Sequence, residues 1–103
     1  MNSNVIELVI FQTNPGINKA DLMAAADQTM VFLQKLDGFI SRELSLTENE
    51  SQWVDIVHWQ DLNTAQQAAD KFIKAPECQE FLAMIDIQQM TMLHLNSVLT
   101  KNV

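Results

Sequence analysis

The chain has 103 residues, thirteen Asp and Glu against six Lys and Arg, a formal charge of −7 and a hydrophobic share of 48%. That length suits one domain, residues 1–103, built around one hydrophobic core. A sequence pI near 4.5 leaves no cationic stripe for phosphates, which excludes a nucleic-acid partner and disfavours an anionic membrane surface.

At the start, Met1-Asn2-Ser3-Asn4 lacks the basic n-region of a secretory signal. Val5 to Phe11 is a β-branched and aromatic run broken by one carboxylate, Glu7, and predicts a strand that is apolar on both faces. Asn14-Pro15-Gly16 stops it. Asn18, with Asp21 three residues on, predicts a helix start, since both answer unpaired N–H groups there. Leu22, Ala26, Thr29, Leu33 and Leu36 follow at helical spacing. Asp37-Gly38 is expected to end this helix, with Gly38 as the residue that accepts positive φ.

Phe39 to Leu46 alternates, with Ile40, Leu44 and Leu46 opposite Ser41, Glu43 and Ser45, which predicts a strand. A polar loop of about four residues within Thr47–Ser51 leads into a returning strand, Trp53 to Trp59. Asp61 to Thr64 offers helix caps, and Ala65, Ala68, Ala69, Phe72 and Ile73 form the next helical stripe. Pro76 interrupts it and restarts a short helix, with Phe81, Leu82 and Ile85 as the buried face. Met90 to Leu99 is the last strand. The lone cysteine, Cys78, cannot close an internal disulfide, so a reducing, cytoplasmic setting is expected. No apolar run approaches the roughly 18–20 residues of a membrane span.

The order β-α-β-β-α-β is the ferredoxin-like α+β pattern: a four-stranded antiparallel sheet with two helices on one face. The other face is also apolar, with Ile6, Leu8 and Ile10 on the first strand and Leu93 and Leu95 on the last. An antiparallel sheet with a wet back shows cleaner alternation, and apolar patches of roughly several hundred Å² are rarely left to water. The expectation is therefore a homodimer through the sheet face.

Within this pattern, Gly38-Phe39-Ile40-Ser41, the hairpin of about twenty residues that follows and Trp59-Gln60-Asp61 resemble the antibiotic-biosynthesis monooxygenase family of the dimeric α+β barrel superfamily. Lys74 to Phe81 resembles the family's proline break in the second helix. The resemblance runs from about residue 5 to residue 99. It implies two sheets packed face to face in a dimer, helices outside, and a pocket between sheet and helices. Some members oxidise fused-ring phenols or quinols with O₂ and no cofactor; others cleave haem or act on small signalling metabolites. In the phenol-oxidising kind an Asn stands four residues before the strand-three Trp; here that position is Asp55, followed by Trp59. Ala65 and Leu82 stand where other members have polar pocket residues. The haem-cleaving members need a His on the second helix, and residues 61–86 contain none.

A hairpin centred between Asn49 and Glu50 pairs Leu44 with Asp55, Arg42 with Val57 and Ile40 with Trp59. Arg42, Asp55 and Trp59 then share one face, because opposite and diagonal neighbours in an antiparallel pair touch. These three are the candidate catalytic residues: Arg42 for an oxyanion, Asp55 for a proton, Trp59 to donate or stack. A small aromatic acid or phenolate would fit such a face. A plainer arrangement also suits them, a cross-strand ion pair of Arg42 with Asp55 worth little. His58 has the opposite parity and is expected to point at the partner chain as an ordinary interface or core histidine. His94 shares a face with Met90 and Met92, without a register to say which. Neither belongs to a metal-ligand spacing, and neither a metal nor a cofactor is expected. Cys78, near a helix start, and Met23 and Met30 fit as bystander and packing residues. Three functions remain open: a cofactor-independent monooxygenase on a small phenol or quinol, a non-catalytic dimeric ligand-binding protein, and an isomerase or lyase with Asp55 as base.

Overall fold

The computed structural model describes residues 4–102. Strands β1 (Val5–Phe11), β2 (Phe39–Leu46), β3 (Trp53–Trp59) and β4 (Thr91–Asn96) form one sheet in the order β2-β3-β1-β4. All three pairings are antiparallel. Helix α1 (Lys19–Leu33) joins β1 to β2, and α2 (Leu62–Phe72) and the short α3 (Gln79–Met84) lie between β3 and β4. This is the expected ferredoxin-like arrangement, with β1 and β2 parallel and β3 inserted between them.

Local chemistry explains where the elements begin. Asn18 caps α1 by accepting from the Asp21 N–H at 2.8 Å, and Asp61 caps α2 by accepting from the Thr64 N–H at 2.8 Å. That N–H, then the Thr64 hydroxyl, hold the Asp61 carboxyl below the usual carboxylate range. Pro76 opens a 3₁₀ turn, Pro76–Cys78, that runs into α3. Asn14 ties the end of β1 to α3 through its amide, which donates to the carbonyls of Ala83 and Ile85.

Four details correct the expectations from sequence. Helix α1 ends at Leu33, with Gln34 as C-cap, short of Asp37. Gly38 does take a positive φ of 90°, but in the turn that leads into β2. A Cβ there would stand 2.5 Å from Thr64 Cγ2, so the turn approaches α2 too closely for any side chain. A bulge separates Phe39 from Ser41, and Phe39, not Ile40, pairs with Trp59. The two aromatic rings meet edge to face at 5.6 Å, and packing the half-buried Phe39 there leaves Ile40 50% exposed. Finally β4 spans Thr91–Asn96 only; Val98 and Leu99 lie beyond it and are exposed.

The core lies between sheet and helices in two clusters. One gathers Phe11, Leu22, Trp53, Phe81 and Ile85; the other Val5, Leu33, Val57, Trp59, Ala65 and Ala68. The opposite sheet face carries Ile6, Leu8 and Ile10 on β1, Val54 and Ile56 on β3, and Leu93 and Leu95 on β4, in register across the strands. Leu93 and Leu95 are exposed and the other five half-buried. His58 lies in this face between Ile6 and Ser41. Among the described residues, no helix is long and apolar enough to cross a membrane.

Candidate functional site

A cavity of about 130 Å³ lies between the sheet and the helices and touches both core clusters. Its room comes from small residues. Helix α2 faces the sheet with Ala65, Ala68 and Ala69, so no long side chain fills the space above Val57 and Trp59. Phe72, Phe81 and Leu82 form the helical wall. The cavity is smaller than the roughly 300 Å³ at which pockets for drug-sized ligands begin. Its volume is close to that of an apolar core cavity that holds one benzene, which leaves room for a single aromatic ring. A wider, more open groove of about 660 Å³ runs between α1 and β2, past Met23 and Met30. That groove shields a ligand less from water.

The hairpin brings Arg42 and Asp55 together as the register predicts, through Leu44↔Asp55 and Arg42↔Val57. The guanidinium forks onto the carboxylate: Nε donates to Oδ1 at 2.9 Å and Nη2 to Oδ2 at 2.7 Å. Nη1 donates to the Ala26 carbonyl at 2.9 Å and to Thr29 Oγ1 at 2.6 Å. The ring of Phe81 covers the guanidinium at 5.5 Å. Both charged side chains are almost wholly buried. The pair is therefore a buried clamp joining β2, β3 and α1, not the weak cross-strand pair that the plainer expectation allowed. Of the five N–H donors an arginine carries, one remains uncommitted.

Trp59 is fully buried and lines the same cavity, but its indole N–H turns away from Asp55. It donates to Glu7 Oε1 at 3.4 Å, and the other Glu7 oxygen meets His94 Nε2 at 3.1 Å. The registers Glu7↔Val57 and Glu7↔His94 place both partners beside it on the helix-facing side, which settles the face of His94. Glu7 is 8% exposed and lines the cavity. It is absent from the candidate residues chosen on sequence. Its signal is a lone carboxylate in VIELVIF on the parity of Val5 and Phe11, the buried face.

Cys78 is buried, and burial, followed by the charge of Glu77, pushes its thiol up to about 11, against a smaller opposing pull from Arg42. A position near a helix start does not produce a thiolate here. The protonated thiol stabilises the fold fully below its unfolded pKa, and that contribution fades as pH rises toward about 11. At pH 8 the native chain is expected to react with a disulfide reagent at least roughly tenfold more slowly than in urea; equal rates would contradict this. Among the described residues, no three His, Cys, Asp or Glu gather as a metal-binding group.

A scan against protein-family models finds no match, nor does a search of curated proteins. Solved structures do match. A variant of SnoaB, a cofactor-independent oxygenase from Streptomyces nogalater, superposes with a TM-score of 0.78 at 16% identity, over 95% of this chain and 96% of that one. A candidate antibiotic biosynthesis monooxygenase from Bordetella bronchiseptica gives 0.72 at 17% identity, over 94% and 99% of the two chains. A second such candidate, from Chloroflexus aurantiacus, gives 0.68 at 13% identity, over 97% and 98%. Along nearly its whole length, the chain has the fold of the antibiotic biosynthesis monooxygenase-like proteins.

Proposed function

We propose that this chain is a homodimeric, cofactor-independent oxygenase that oxidises a small single-ring phenol or quinol with O₂ in the helix-side cavity. The observation that carries the reading is the cavity itself. It is walled mostly by apolar side chains, its polar groups are Glu7, Arg42, Asp55 and Trp59, and its fold is that of a cofactor-independent oxygenase.

The chemistry asks little of the protein. A quinol becomes electron-rich enough to reduce O₂ directly as a hydroxyl gives up its proton, and a site closed to bulk water limits side reactions of what forms. One oxygen atom enters the ring and the other leaves as water, so a quinol becomes a hydroxyquinone and supplies both hydrogens. Trp59 provides a flat wall for the ring, and the uncommitted N–H of Arg42 a donor for developing negative charge. Asp55, expected from sequence as the base, has both oxygens on Arg42, so in this reading it aims the guanidinium. The dimer forms through the apolar sheet face and leaves the helix side free for a ligand.

An oxygen electrode tests the reading with methylhydroquinone and catechol. Protein-dependent uptake is expected, with no O₂ returned when catalase is added, because the second oxygen leaves as water. The modest cavity favours one alternative, a dimeric binding protein without catalysis. Saturable quinol binding with no uptake above the protein-free rate would establish that alternative and overturn the oxygenase.

A further inference from the structure

Four polar side chains reach the cavity, and their hydrogen bonds are unevenly spent. Arg42 has committed four of its five N–H donors, and its charge is matched by the fork onto Asp55. The Trp59 N–H is committed to Glu7. Glu7 differs. It is a carboxylate with room for about four hydrogen bonds, and it receives one long indole contact and one imidazole contact. No guanidinium or ammonium forks onto it. The one potential cation on it is His94, charged only when protonated, so with a neutral imidazole the cavity offers a ligand an anionic acceptor and no free cation.

We propose that Glu7 is the specificity-determining residue of this cavity: it selects a neutral one-ring aromatic whose hydroxyl donates to it, and it rejects aromatic carboxylates. The inference rests on the reading of this cavity as the ligand site, but not on any reaction with O₂. An aromatic carboxylate would bring a second negative charge beside Glu7, with Arg42 already neutralised by Asp55. Two like charges in a poorly solvated site repel strongly. A hydroxyl donates to the Glu7 carboxylate when the cavity fills, whereas a methyl group cannot. His94 and Trp59 act as positioning residues that hold the two Glu7 oxygens.

Phenol, toluene and benzoate separate these cases, because phenol and toluene are nearly the same shape. In a purely apolar cavity toluene binds more tightly than phenol, since the hydroxyl must shed its water. Calorimetric titration of the wild-type chain is expected to show the reverse order, with phenol about 10- to 100-fold tighter than toluene and benzoate without measurable binding. Glu7→Gln keeps an acceptor for the Trp59 N–H but removes the charge. It should reduce the preference for phenol by about tenfold and allow benzoate to bind. Toluene at or above phenol in the wild type, benzoate equal to phenol, an undiminished preference for phenol over toluene in E7Q, or no binding of any probe would each overturn the proposal. The wild-type ranking stands without any variant. If the ranking holds while quinols give no oxygen uptake, only the oxygenase reading fails.

Discussion

Arg42→Ala is expected to cost roughly 3–5 kcal/mol of folding stability, as removal of one partner from a buried ion pair does. Asp55 is 7% exposed, and without the guanidinium its charge stays buried with no partner. The Ala26 carbonyl loses a donor as well, and Thr29 Oγ1, which itself donates to that carbonyl at 2.6 Å, loses its own. Arg42→Lys should recover only part of the loss, because an ammonium cannot fork onto both carboxylate oxygens. Replacing both charges, Arg42→Met with Asp55→Leu, should return most of it, since an apolar pair of similar volume removes the desolvation penalty. Urea unfolding measures all three. A loss under about 1 kcal/mol for Arg42→Ala, the range of exposed pairs, would mean that the clamp is solvated and does not shape the cavity wall.

The second large effect belongs to the proposed dimer. Ile56 sits inside the apolar sheet face, opposite Leu8 on one side and Glu43 on the other, and Leu8 in turn faces Leu93. A two-fold interface repeats every change, so Ile56→Glu places two carboxylates in it. Sedimentation should show a wild-type dimer at micromolar concentration and an Ile56→Glu monomer, with dimerisation weakened by at least about 100-fold. Helix content should hold, because Ile56 points away from both core clusters. A folded wild-type monomer at that concentration would rule out the dimer.

The fold is legible in the sequence where local rules act alone. Period-two alternation and a short polar loop set the bounds of β2 and β3 and pair Leu44 with Asp55, which puts Arg42 and Asp55 on one face. The bulge at Ile40 is not legible, because it follows from how Phe39 packs on Trp59 across the sheet. Glu7, Trp59 and His94 come from three strands, and the face of His94 depends on the register of β4 against β1, which no local pattern states. The hydrogen bonds of Arg42 to Ala26 and Thr29 depend on how α1 lies over β2. Cavity size is equally hidden. Ala65, Ala68 and Ala69 stand out as a helical stripe, but the room they leave depends on how closely α2 approaches the sheet.

The indole N–H signals of the nitrogen-15 labelled protein test the central claim, that the helix-side cavity is the ligand site. The chain has two tryptophans. Trp59 lines this cavity, and Trp53 lines the open groove between α1 and β2 instead. Trp53→Phe assigns the two signals. On titration with phenol, a saturable shift of the Trp59 signal is expected while that of Trp53 holds still. A Trp59 signal that stays in place, or a saturable shift confined to Trp53, would contradict it.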